Sequence, residues 1–149
     1  MRVLVLSGPN LNLLGEREPE VYGGVSLAEI HVRLEARARE LGVELRCAQS
    51  NHEGELIDAL QAARLDCDAA VLNPGAFAHT SLALRDAIAA IRIPVIEVHM
   101  TNVFAREHQP FRRHLVLAPV VRGLVIGFGA DSYLLGLEAA VRLVRGGLR

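Results

Sequence analysis

Five short aliphatic runs, separated by segments with helical periodicity, constrain the fold of this chain most. The runs lie at residues 2–6, 43–47, 69–72, 94–98 and 124–128. Strand–helix alternation at this spacing requires right-handed crossovers, which give a parallel sheet with helices on both faces. We therefore predict a single domain over residues 1–149. Its predicted fold is a flavodoxin-like three-layer α/β/α sandwich with a five-stranded parallel sheet in the order 2-1-3-4-5.

Capping signals predict where several helices begin and end. Ser26 and Glu29 have the spacing of a capping box, and Gly42 is placed to end the helix that follows. The same spacing recurs at Ser50 and Glu53, which predicts a second capping box before the next helix. The other predicted elements are a helix over 81–91, a helix beginning near 131 and a mostly irregular segment over 101–121.

The charge and hydropathy of the chain exclude several kinds of partner. With 16 basic and 17 acidic residues the formal net charge is −1, so there is no basic surface for nucleic acid and no polybasic membrane segment. No uninterrupted apolar stretch approaches the roughly 20 residues that cross a bilayer. The N-terminus runs directly into the first predicted strand, without a signal peptide pattern. We expect a cytoplasmic protein without nucleic-acid or membrane partners.

The chain contains no lysine, since all 16 basic residues are arginine. This excludes Schiff-base catalysis, covalent attachment of pyridoxal phosphate and a Walker-type phosphate lysine. The six histidines show no metal-binding spacing, and Cys47 and Cys67 form no CxxC pair, so we interpret both cysteines as core residues. We expect acid–base chemistry without metal or cofactor.

Polar side chains stand where three of the predicted strands end. Asn10 follows the first strand, Asn73 the third, and Glu97 and His99 lie on one face of the fourth. A carboxylate beside an imidazole orients the ring and stabilises its cationic form. Taken singly, the asparagines suit turns and the Glu–His pair suits a surface. Their coincidence at the expected ligand crevice favours a site.

The connection over residues 11–24 is long for a βα loop, which is typical of lids and binding loops. It contains Tyr22, which can act as a base only if a cation stabilises its phenolate, and Arg17 is within reach to do so. Alternatively, Tyr22 packs beneath the loop. His79 is a candidate ligand-binding donor or a capping residue, and the arginine-rich stretch 106–114 is a candidate clamp for substrate oxygens or ordinary surface charge.

Together these segments closely resemble the type II 3-dehydroquinate dehydratases of the shikimate pathway. The resemblance runs essentially from end to end, and its first motif, with ordered Asn, Arg and Tyr, is highly specific. It is carried by GPNLNLLGEREPEVYGG at 8–24, QSNHEGELID at 49–58, LNPGAFAHTS at 72–81, EVHMTN at 97–102 and the closing GFGADSYLLGL.

The resemblance implies the catalytic roles. Tyr22 would remove a proton from C2 of 3-dehydroquinate, with Arg17 holding it as phenolate. Asn10 would position a water that stabilises the enolate. His99, oriented by Glu97, would protonate the departing C1 hydroxyl.

The resemblance also implies how substrate binds and how subunits assemble. The substrate-binding residues it implies are Asn73, His79, Met100, Thr101 and Arg112, with Asp86 supplied by a neighbouring subunit. The expected assembly is a dodecamer built from four trimers, and no cofactor is expected. The same reaction in quinate breakdown, or a catalytically silent ligand-binding relative, are the alternatives.

Two departures from the family pattern concern the stretch after His99. Thr101 stands where serine is usual, which keeps a hydroxyl, and the stretch 107–110 is longer than usual. We expect Pro110 and Phe111 to re-anchor the chain, with the Phe111 ring buried and the extra residues bulging outward at 108–109. Arg112 would then still reach the substrate hydroxyls.

Overall fold

The computed structural model describes residues 1–16 and 18–146, without the side chains of Pro19 and Tyr22. Five parallel strands form one sheet in the order β2-β1-β3-β4-β5, which confirms the predicted topology. The strands are β1 (Arg2–Ser7), β2 (Glu44–Gln49), β3 (Ala69–Asn73), β4 (Val95–His99) and β5 (Gly123–Ile126).

Four long helices cover the sheet, and a helix of one turn precedes them. In chain order they are α1 (Pro19–Tyr22), α2 (Leu27–Leu41), α3 (Glu53–Asp66), α4 (Leu82–Ala90) and α5 (Asp131–Val144). Short 3-10 turns lie at Leu11–Leu13, Gly75–His79, Val103–Ala105 and Pro110–Arg113. The last two occupy the segment that was predicted to be mostly irregular.

The strands β1, β3 and β4 are buried on both faces, which explains why their sequences are aliphatic runs rather than alternating patterns. Val5 and Val71 face one core cluster with residues of α2 and α5, whereas Leu6 and Leu72 face the other with residues of α3 and α4. Helix α5 lies so close to the sheet that a Cβ on Gly136 would stand 2.6 Å from Val98 Cγ1. A cavity lies at the carboxyl ends of β1, β3 and β4 and is lined by Asn10, Asn73 and His99.

One of the two predicted capping boxes is present and the other is not. The Ser26 hydroxyl accepts from the Glu29 amide at 3.2 Å and the Glu29 carboxylate accepts from the Ser26 amide at 2.7 Å, as predicted. The prediction for Ser50 and Glu53 was wrong. The Ser50 amide donates to the carbonyl of Ser7 at 3.0 Å, which continues the strand pairing, and His52 is the residue that precedes α3.

Among the described residues, no helix is both long and apolar enough to span a bilayer.

Candidate active site

The ends of β1 and β3 are held together where their loops diverge. Ser7 and Asn73 are register partners, and the Gly8 amide donates to the carbonyl of Asn73 at 2.7 Å. A Cβ on Gly8 would lie 2.5 Å from the carbonyl oxygen of Pro74, so only glycine fits this approach. The two loops therefore diverge from a fixed point, and a crevice opens between them.

Asn10 is held in this crevice by the neighbouring edge strand. Its backbone adopts a left-handed conformation with φ 67°, which asparagine tolerates better than most residues. The backbone N–H of Asn10 donates to Asn51 Oδ1 at 3.0 Å. The side-chain amide of Gln49 donates to the same Asn51 oxygen at 3.0 Å and to the carbonyl of Gly8 at 3.1 Å. The loop after β2 thus positions the loop after β1.

Glu97 and His99 form a buried pair at the end of β4. Glu97 is 0% exposed and His99 is 6% exposed, and His99 Nε2 lies 2.7 Å from Glu97 Oε1. This bond fixes the orientation of the ring and leaves Nδ1 for the cavity that His99 lines. The other carboxylate oxygen, Oε2, has no hydrogen-bond partner among the described residues. A buried carboxylate in this position stabilises an imidazolium.

His79 lies beside His99, with ring centroids 6.4 Å apart. Its Nδ1 lies 3.0 Å from the backbone carbonyl of His114, and because a carbonyl can only accept, Nδ1 carries the proton. Burial lowers the pKa of His79, and the hydrogen bond to the His114 carbonyl offsets that effect only in part. In the neutral ring, Nε2 is an acceptor, so His79 suits a substrate hydroxyl that donates.

Two arginines from the segment after β4 complete the cavity wall. Arg106 donates through Nη2 to the hydroxyl of Thr101 at 2.8 Å and through Nη1 to Gln109 Oε1 at 3.3 Å. Arg112 donates through Nε to the same Gln109 oxygen. Both guanidinium groups are half-buried rather than solvated, which strengthens their attraction for an anion.

The expectation for the stretch before Arg112 was wrong in two respects. Phe111 is 62% exposed, so it does not anchor the chain by burying its ring; the guanidinium of Arg112 lies over that ring at 5.7 Å. His108 is exposed, but Gln109 is half-buried and turned toward the arginines rather than bulging outward. The hydrogen bonds from the two arginines stabilise this inward orientation of Gln109 relative to an outward orientation in solvent.

A single cavity with about 640 Å³ of non-protein space, part of it open to solvent, joins these elements. Of the predicted site residues it brings together Asn10, Asn73, His79, His99, Met100, Thr101 and Arg112, with Glu97 behind His99. Asp86 is exposed on α4 and does not line the cavity. Arg17 lies outside the described residues, as does the side chain of Tyr22. The predicted roles of these residues stay predictions.

The chain matches the family described as Dehydroquinase class II over residues 1–141. It belongs to this family. The predicted resemblance is thereby confirmed, and it places the cavity in a known class of enzymes.

Named relatives and a solved structure agree with this class II dehydroquinase assignment. The 3-dehydroquinate dehydratase of Pelotomaculum thermopropionicum is 57% identical over 143 residues, covering 96% of this chain and 98% of that protein. The 3-dehydroquinate dehydratase of Desulforudis audaxviator is 57% identical over 147 residues, covering 99% and 97%. The crystal structure of type II dehydroquinase from Butyrivibrio crossotus superposes with a TM-score of 0.90 at 40% identity, covering 94% and 97%.

Several residues that line the dehydroquinase cavity were not singled out from the sequence. Arg106 belongs to the arginine-rich stretch, but nothing in its spacing distinguished it from Arg113. The apolar wall was also missed, although the leucines that follow Asn10 are a signal for it. This wall consists of Pro9, Leu11, Leu14 and Val103.

The potential metal ligands and the two cysteines of the described residues do not form a metal site or a reactive thiol. Within residues 1–16 and 18–146, no three His, Cys, Asp or Glu side chains cluster as a metal site would require. Burial raises the pKa of Cys47 to about 12 and also raises that of Cys67. A raised pKa disfavours the thiolate form that a nucleophile requires.

Proposed function

We propose that this chain carries out its family's reaction, dehydration of 3-dehydroquinate to 3-dehydroshikimate and water, by anti-elimination through an enolate. The observation that carries the mechanism is the buried Glu97–His99 pair, which presents one ring nitrogen to a cavity containing Asn10 and Asn73. This arrangement suits a general acid held in one orientation. The absence of lysine from the chain agrees with a route that forms no imine.

The proposed reaction has two steps. In the first, the Tyr22 phenolate takes the proton from C2, and the electron pair of that C–H bond moves into the C3 carbonyl to give the enolate. In the second, the enolate collapses to form the C1–C2 double bond while the C1–O bond breaks. The departing hydroxyl takes a proton from His99 and leaves as water. Proton exchange with solvent then restores the phenolate and the imidazolium.

Charge at the cavity supports the binding of an anionic substrate. Arg106 and Arg112 line one wall, and both are half-buried. We assign the substrate ring hydroxyls to Arg112 and to the neutral ring of His79. Asn73 and the backbone at Met100 and Thr101 would bind the ring and its carboxylate. Asn10 would hold the water that stabilises the enolate oxygen.

Subunit assembly and cellular context complete the proposal. We assign the enzyme to the shikimate pathway in the cytoplasm, and we expect a dodecamer of four trimers. Asp86, which is exposed on α4, would reach the site of a neighbouring subunit.

The proposed activity is tested by adding 3-dehydroquinate to the purified chain and following the ultraviolet absorbance of the conjugated enone product. We expect turnover that survives both chelation by EDTA and addition of borohydride, because neither a metal nor an imine takes part. Loss of activity on chelation, restored by a metal, would contradict the cofactor-free mechanism. Absence of turnover under all conditions favours a silent ligand-binding relative.

Replacing Arg112 by Ala is expected to raise KM on the order of 10²-fold, because a substrate-positioning charge is lost from the cavity wall. Arg113→Ala is the matched control, since Arg113 is exposed and does not line the cavity; it should change KM little. Steady-state kinetics on both variants measures the difference. A larger effect at Arg113 would show that the assignment is displaced by one residue.

Asp86→Ala is expected to lower kcat/KM by about tenfold or more, although the residue is exposed in a single chain and its removal should cost less than about 0.5 kcal/mol of stability. The loss would arise across a subunit interface. Kinetics, thermal unfolding and sedimentation on the same samples separate activity from stability and assembly. A fully active monomer at low concentration would exclude a shared site.

A further inference from the structure

We propose that Gln109 is a positioning residue, which holds the guanidinium groups of Arg106 and Arg112 in the arrangement that binds the anionic substrate. This inference rests on the proposed function, and it assigns a role within the site to the stretch 107–110.

The geometry places one oxygen between two cations. Gln109 Oε1 accepts from Arg106 Nη1 at 3.3 Å and from Arg112 Nε, and Arg106 continues the chain of bonds through Nη2 to Thr101 Oγ1 at 2.8 Å. Thr101, Arg106 and Arg112 line the cavity, whereas Gln109 stands behind the two arginines. Gln109 is therefore placed to act through them rather than on the substrate.

Backbone bonds set Gln109 at this position independently of its side chain. The backbone N–H of Gln109 donates to the backbone carbonyl of Arg106 at 3.1 Å. The backbone carbonyl of Gln109 accepts from the backbone N–H of Arg112 at 3.0 Å. Replacing the side chain thus leaves both turns intact. Phe111 adds a second restraint on Arg112, since the guanidinium lies 5.7 Å from the centroid of its ring.

The chemistry of an amide suits this position better than that of a carboxylate. Two guanidinium groups repel each other, and a shared acceptor offsets that repulsion while fixing their separation. A carboxylate would do so more strongly, but its negative charge would also repel an anionic substrate. The neutral amide of Gln109 positions both guanidinium groups without adding negative charge to the cavity wall.

The test is a double-mutant cycle on the intact chain, with kcat and KM measured for 3-dehydroquinate and melting temperatures recorded. Gln109→Met keeps the size of the side chain but removes the acceptor, and it is expected to raise KM about tenfold with a smaller change in kcat. His108→Met is the matched control, because His108 is exposed and does not line the cavity; its KM should stay near that of the unaltered enzyme.

Arg112→Lys supplies the second arm of the cycle. Lysine keeps the positive charge but has no guanidinium Nε–H, so the hydrogen bond from that group to Gln109 Oε1 is lost. In that background Gln109→Met should raise KM only about twofold. An equal effect in both backgrounds, or an unchanged KM for Gln109→Met whatever its melting temperature, would overturn the positioning role. Absence of turnover in the unaltered chain would instead contradict the proposed function, and with it the substrate assigned to these arginines.

Discussion

Replacing Tyr22 by Phe is expected to lower kcat by about 10²–10⁴-fold while changing KM much less. The phenol is the proposed base, and Phe differs from Tyr only by the hydroxyl, so the variant removes the proton acceptor alone. A phenol has an ordinary pKa near 10, so it works as a base at neutral pH only when a cation stabilises the phenolate, which is the role proposed for Arg17. Single-turnover and steady-state rates with 3-dehydroquinate measure the loss.

Tyr133→Phe is the matched control, since the chain has only two tyrosines. The Tyr133 hydroxyl is fully buried 2.9 Å from Ser7 Oγ, and burial raises its pKa to about 12, so it is a poor base at neutral pH. This variant should lose about 1–2 kcal/mol of stability, because the Ser7 hydroxyl loses its partner, with kcat largely retained. Near-normal turnover in Tyr22→Phe would remove Tyr22 from its proposed role.

The topology could be predicted because the sequence signals for it are local and agree with one another. Runs such as 69–72 are aliphatic on both faces, which occurs when helices cover both sides of a strand. Ser26, Glu29 and Gly42 mark both ends of α2 through short-range bonds that need no tertiary context. Ser50 was misassigned because its amide is taken by Ser7 in the neighbouring strand, a contact that spacing alone does not reveal.

The site could be predicted only as far as strand order brings strand ends together. Asn10, Asn73 and His99 converge because β1, β3 and β4 are adjacent and parallel. The wall formed by the segment after β4 follows no such rule. Gln109 was expected to be exposed but is half-buried, because hydrogen bonds from two arginines stabilise its side-chain amide there. Phe111 was expected to be buried but is exposed, since nothing in an irregular stretch requires an aromatic ring to be covered.

Replacing His99 by Gln is expected to lower kcat by about 10²–10⁴-fold, because an amide cannot deliver a proton to the departing hydroxyl. Gln is preferred to Ala because its side-chain amide can still donate to Glu97, which is completely buried and already has one oxygen without a partner among the described residues. Removing the donor altogether would leave a buried carboxylate uncompensated, at a cost of about 3–5 kcal/mol. Rates measured on a protein with an unchanged melting temperature therefore report on the chemistry alone.

The variant His79→Gln tests whether His99 or the neighbouring His79 supplies the proton to the leaving group. The His79 ring lies 6.4 Å from that of His99, but its Nδ1 proton is committed to the carbonyl of His114 and its pKa is lowered, chiefly by burial. A neutral ring in this position binds a hydroxyl and does not supply a proton, so His79→Gln should raise KM with a modest change in kcat. If His99→Gln retains turnover within about tenfold of the unaltered enzyme, whereas His79→Gln does not, the proton reaches the leaving group through His79 and the Glu97–His99 pair is structural.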